Sequence, residues 1–560
     1  MLETLPTTGL EAMDWGWDQY KPHFDALTAR EFDAATVDSW LRDWSHLAEL
    51  ISEVFSRWAI ATTLNTQDEA ARNRLQTFLE NVYEPAQEAF QALKEKLLAS
   101  GLEPSGFSIP LRNMRSEADL FRSENLPLFT EEHKQGLVYD QIIGAQTVQW
   151  EGEELTLTQL VVKLTPADRP TRERGWRLAS ARVLADRAAI NDCWQKLMAI
   201  RGKIAANAGK PDFRDYMWQA KLRFDYSPAD AETFHRAIEQ VAVPAAKRVY
   251  ERRRAAMGVE TLRPWDVGVD VMRSTDFTGD PLGRPPLHPF DQVSQLEETG
   301  SRIFHKVDPT LGQQYDIMRR EKLMDLPNYK GKAPGAYCDS FPTLRRPFVF
   351  LNAVGASGDV STLLHECGHA FHVFATAGLP YYQLLEPPME FAEVASMGME
   401  LLGSPYLKQA DGGFYTPAEH ARALIEHLET MLVFWPYMAV VDSFNHWVYT
   451  HHAQASDPAN CDAKWGELWD RFIQGVDWTG LDDEKVTGWH RKLHIHRLPF
   501  YYVEYGLAQL GAAQVWANAL KDQAGAVAAY RKALSLGGSV PLPELYRTAG
   551  AKFAVDADTL

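Results

Sequence analysis

The chain has 560 residues, 45% hydrophobic and 24% charged, with a formal charge of −18. That length exceeds what a single core can serve, so two or more lobes are expected, with the composition of an ordinary soluble globular protein. The acidic balance argues against nucleic acid as a partner, because binding phosphates needs a basic footprint.

From about Asp14 to Ser100, apolar residues recur at three-and-four spacing, as in DSWLRDWSHLAELISEVFSRWAIATTL, which predicts helical hairpins. Trp15, Trp17, Trp40, Trp44 and Trp58 fall in this stretch and read as core packing. TVQWEGEELTLTQL then alternates apolar and polar residues, and Glu151-Gly152-Glu153 between its two runs predicts a hairpin. Pro166 and Pro170 suggest a boundary near residues 160 to 175, giving an N-terminal helical lobe over 1–170 and a catalytic domain over 171–560. Residues 172 to 257 read as helical again, with Arg252, Arg253 and Arg254 pointing around a helix as a solvated face.

After a stretch rich in Pro, Gly and Asp, with a helical piece near Phe290 to Val307, two strands are predicted at 335–341 and 347–353. A helix follows over Asp359 to Ala377, with Asp359 as its N-cap and Gly378 and Pro380 as its stop. It carries His365-Glu366-Cys367-Gly368-His369. Helix positions four apart share a face, so the two imidazoles can converge on one metal ion with Glu366 beside them, the geometry of a zinc hydrolase. An exposed strand edge beside such a helix can hold an extended peptide through main-chain hydrogen bonds.

A catalytic zinc ion needs a third protein ligand. The extended metzincin pattern is absent, since positions 372 and 375 are His372 and Ala375. The next helical run, MEFAEVASMGMELLGSPY, offers Glu390, Glu393 and Glu400. Glu393 and Glu400 share a face, which favours Glu393 as ligand and Glu400 as hydrogen-bond partner of a ligand histidine. Spacing alone leaves the choice open, because a carboxylate on a helix is usually just solvated. His372 reads as a packing neighbour and Cys367 as a small buried hydrophobe.

Four cysteines, Cys193, Cys338, Cys367 and Cys461, lack CxxC spacing. Neither a disulfide framework nor a thiolate zinc knuckle is expected, and the reducing cytoplasm fits best. MLETLPTTGLEAMDW has no basic stretch leading into an apolar core, and the apolar run 431–441 is short and contains Pro436. Neither secretion nor a membrane span is expected.

The blocks GKAPGAYCDSF, PFVFLNAVG, LLHECGHAFH, PMEFAEVASMGMELL, HRLPFYYVEYGLA and YRKALSLGGSVPLPELYRTAG occupy roughly the last two fifths of the chain. Together they resemble the M3 family of zinc metallopeptidases, and more closely its oligoendopeptidase F group. RGKIAANAGKPDFRDYMWQAKLRFDYSPAD extends the likeness more loosely to about residue 200. The resemblance implies a mainly α, multi-helix, two-lobed zincin metallopeptidase, with a small β-sheet beside the HExxH helix and a deep channel admitting oligopeptides.

It further implies one Zn2+ per chain on His365, His369 and Glu393, with Glu366 as general base toward zinc-activated water. Transition-state roles fall on His496, Tyr501 and Tyr505, with His494 a rival to His496. Ala508 stands where some members carry a further tyrosine. The expected activity is endopeptidase cleavage of short oligopeptides, without nucleic acid or membrane partners. The alternatives are a carboxypeptidase-type zinc peptidase and an inactive helical binding protein; oligomeric state is not legible.

Overall fold

The computed structural model describes residues 5–165, 168–267 and 283–560, so Pro166 lies outside the described residues. The protein is mainly helical with small sheets. It divides into two compact units, each assembled from separated stretches of chain.

The first unit comprises Met1–Ala118, Leu287–His420 and Ala508–Phe553. Its N-terminal helices, Trp17–Ala29, Val37–Leu64, Glu69–Phe78 and Glu84–Ser100, bury Trp40 and Trp44 in a common core, against which Trp15, Trp17 and Trp58 pack. They do not form a separate lobe ending near residue 170. Buried Glu53 accepts the Thr343 backbone N–H at 3.0 Å, Glu49 pairs with Arg345 at 2.7 Å, and Ser56 donates to Asp339 at 3.0 Å. These bonds tie the helix Val37–Leu64 to the sheet beside the motif helix, contacts between residues far apart in sequence.

β1 (Thr147–Trp150) and β2 (Glu153–Thr156) form an antiparallel hairpin in the second unit. Its two-residue turn, Glu151 and Gly152, has positive φ at both positions, as the twist of a tight hairpin requires. In the first unit β3 (Met324–Pro327), β4 (Tyr337–Phe341) and β5 (Arg346–Ala353) make a three-stranded sheet with β5 in the centre. β5 pairs with β3 in parallel and with β4 antiparallel, and most of its residues are buried, as expected of a central strand. β3 has no counterpart among the predicted strands; it is four residues long and ends in proline, a weak strand signal.

The motif helix spans Ser357–Ala375 with Ala356 as its N-cap. Asp359 is therefore inside the helix rather than capping it. Its Oδ2 reaches back to accept the backbone N–H groups of Val354, Gly355 and Ala356 at 2.8 to 2.9 Å. A carboxylate near a helix start satisfies such donors and favours the dipole.

The second unit comprises Asp119–Pro286, Ala421–Leu507 and Ala554–Leu560. Arg253 departs from the expected solvated face: it is buried and donates through Nε to the Asp266 carbonyl at 2.6 Å, while Arg252 and Arg254 pair with Glu429 and Glu251. The helix Pro417–Thr450 is long and apolar enough to cross a bilayer by length and composition. Its segment from Tyr437 to Asp442 is buried inside the protein, and Asp442 there accepts from His235 at 2.8 Å.

Candidate metal and catalytic site

The helix Met389–Gly403, which begins after Pro387 and Pro388, packs on the motif helix. A glycine makes the approach close. A Cβ at Gly368 would stand 2.5 Å from the Ala395 carbonyl oxygen and 2.6 Å from Ser396 Cα, nearer than real Cβ atoms come. One helical turn from that contact lie His365 and Glu393.

The structure brings His365, His369 and Glu393 together in the first unit, with one donor atom from each within 4.8 Å of the others. His365 Nε2 and Glu393 Oε2 are 3.5 Å apart. Two ligands each about 2.0–2.2 Å from a tetrahedral zinc ion stand roughly 3.3–3.6 Å from one another, so the spacing and the donor set of two nitrogens and one oxygen suit zinc. Glu400 contacts the other nitrogen of His365, Nδ1, at 2.8 Å, which fixes the ring and turns Nε2 toward Glu393.

Burial dominates the local electrostatics. It pushes the Glu366 carboxyl up to about 7, although His365 pulls the other way. His369 is lowered to about 3 by burial and by His365 beside it. Burial also lowers His365, but the Glu400 hydrogen bond and the surrounding carboxylates outweigh it, holding this imidazole up at about 9. His372 is buried against Phe391 and Cys367 is fully enclosed.

The histidine and tyrosine cluster belongs to the second unit, where its members differ in burial and neighbours. His496 is 0% exposed, its ring stacked 4.2 Å from Tyr139 and 5.6 Å from Trp489, with Trp194 at its edge. A ring closed in on these sides has no face for substrate. His494 keeps company with the tyrosines instead: its ring lies 5.7 Å from Tyr501 and 6.1 Å from Tyr505, which are 5.1 Å from each other. Tyr502 is buried and receives a hydrogen bond from Lys492 at 2.7 Å.

Two buried arginines shape the loop that carries this cluster. Arg201 donates to the carbonyls of Ile495 and His496 and to Tyr449, and Arg223 donates to the Phe500 carbonyl and to Glu504. Phe500 has φ of 63°, which reverses the chain just before Tyr501. Sequence reasoning passed over both arginines. The available signal was their place in the RGKIAANAGK and KLRFDY blocks of the looser match.

A mainly helical fold with this motif helix and sheet defines a peptidase. The family model for peptidase family M3 matches residues 164–559, and the chain belongs to that family. Its structure is similar to that of PZ peptidase A, at 25% identity and a TM-score of 0.83, covering 100% of this chain and 97% of that one. It is also similar to an oligoendopeptidase F, at 26% identity and a TM-score of 0.82, covering 97% and 94%. A likeness to an oligoendopeptidase F from Bacillus anthracis str. Ames, at 22% identity and a TM-score of 0.80 over 97% and 93%, shows the fold alone. A search of curated proteins finds no match.

Proposed function

We propose that the protein is a zinc-dependent endopeptidase that cleaves internal bonds of short oligopeptides, with one zinc ion held by His365, His369 and Glu393. The observation that carries this reading is the convergence of those three donor atoms within 4.8 Å beside Glu366. Zinc bound there supplies positive charge that polarises a peptide carbonyl and makes water a stronger acid. Glu366 accepts the proton of the attacking water and passes it to the leaving amine, and its burial strengthens its hold on that proton between the two transfers. His365 Nε2 would lose its proton on metal binding, and Glu400, accepting from Nδ1–H, orients the ring for that ligation. Tyr501, Tyr505 and His494 are the chain's candidate donors to the negative charge that develops on the carbonyl oxygen. The four free cysteines support a cytoplasmic setting.

The test combines metal analysis with cut-site mapping on a peptide and its C-terminally amidated form. The expected result is one zinc per chain with internal cuts in both forms. Loss of cleavage on amidation would overturn the endopeptidase reading in favour of carboxypeptidase action.

A further inference from the structure

The second unit contains a partly open cavity of about 80 Å³ that the peptidase chemistry does not use. Its walls are aromatic: Trp176, Trp465, Trp469, Trp478, Tyr250 and Tyr437. Four of these rings form a chain, with Trp176 6.0 Å from Trp478, Trp478 5.4 Å from Trp469, and Trp469 6.1 Å from Trp465. Such a volume holds several waters, or part of an aromatic ring whose remainder lies toward the cavity's open side.

The polar groups of the lining are mostly donors. The indole N–H groups of Trp465, Trp469 and Trp478 are buried and meet no acceptor among the described residues. Trp465 is 0% and Trp469 5% exposed, so bulk water does not satisfy them. A buried donor left unpaired is destabilising, and an occupant bearing acceptor oxygens would relieve that cost. Lys485, Arg491 and Lys492 also line the cavity, against a single carboxylate, Glu484. Aromatic cages often take organic cations, but here Arg491 and Lys492 add positive charge to the lining, while Lys485 is already paired with Asp470 at 3.0 Å. Indole, guanidinium and ammonium groups donate and do not accept.

We infer that this cavity is a binding site for a small aromatic carboxylate, its ring between the tryptophans and its oxygens on the indole N–H groups and the cationic rim. The inference is independent of the peptidase mechanism.

The test is calorimetric titration of the full-length protein with phenylacetate, and with phenylacetamide, phenethylammonium and acetate as comparisons. Phenylacetate should bind at least about ten-fold more tightly than each of the three. Lys492→Met, which removes a charge, and Ser180→Phe, which fills the cavity, should each weaken it by about ten-fold or more. Equal binding of the amide or the ammonium ion would overturn the inference. Phenylacetate binding that is unchanged in Lys492→Met would assign the ligand to another place, and absence of heat up to on the order of 10 mM would mean a cavity filled by water only. Should Ser180→Phe fail to fold, Lys492→Met and the comparison ligands still decide.

Discussion

The carbonyl oxygen of Ala395 lies where a side chain on Gly368 would have to be, 2.5 Å from the position of its Cβ. The same oxygen accepts a hydrogen bond from buried Tyr530 at 2.6 Å. Gly368 thus lets the helix bearing Glu393 settle onto the helix bearing both histidines. Gly368→Ala forces the two backbones apart, and overpacking of this kind costs about 1–3 kcal/mol. The expected outcome is a lower Tm together with weaker zinc retention on dialysis. Full zinc content in a destabilised Gly368→Ala protein would separate the packing from the ligand geometry.

Glu366→Gln removes the proton acceptor while leaving His365, His369 and Glu393 in place. Zinc content and Tm should stay at wild-type values while kcat falls by about 10²- to 10⁴-fold. His365→Ala and Glu393→Ala should lose zinc. A turnover assay read beside metal analysis distinguishes the two groups of variants.

His494 and His496 should part company under mutation. His494→Ala is expected to lower kcat by about 10²- to 10³-fold with little change in stability. His496→Phe, whose ring preserves the stack between Tyr139 and Trp489, should keep most activity. The reverse pattern would restore His496 to the catalytic set.

Arg223 holds the Phe500 carbonyl and the Glu504 carboxylate at once. Lysine keeps the charge but not the fork, so Arg223→Lys should loosen the reversal that presents Tyr501. The expected result is a fall in kcat with KM and zinc content little changed. Equal loss of activity and of thermal stability would reduce Arg223 to a structural role.

Buried Asp442 sits between His235 at 2.8 Å and His446 at 3.4 Å. Burial would raise its carboxyl, but the two imidazoles hold it below the usual carboxylate range. A depressed carboxyl contributes stability above its unfolded pKa of about 3.9 and loses it as pH falls toward the folded value. Asp442→Asn should therefore cost about 1.5–3 kcal/mol at pH 7. The gap to wild type should narrow only below about pH 4, as read from urea midpoints across pH.

The HECGH helix, the helix of Glu393 and the strands β4 and β5 were legible because each follows a local period, whereas β3 was too short to show one. The contact of Glu400 with His365 was foreseeable from a seven-residue spacing on one face. His494 and His496 were not separable that way. They sit on a four-residue helix ahead of the φ reversal at Phe500, where spacing along the chain no longer fixes direction. The partnership of the N-terminal helices with the sheet was equally hidden, since it rests on pairs such as Glu53 with Thr343 that no window of sequence contains.

Each unit is interleaved with the other along the chain, and Ala508–Phe553 completes the one that holds His365, His369 and Glu393. During synthesis, the N-terminal helices can close most of their core among themselves, but the side that receives Tyr381 and Leu384 must wait for chain made hundreds of residues later. Long-range closure of this kind slows folding and exposes the nascent chain to aggregation. Cutting the gene anywhere between residues 118 and 508 separates a segment of at least one unit from the rest of its core, so activity should be recovered from co-expressed fragments only where the two halves find each other.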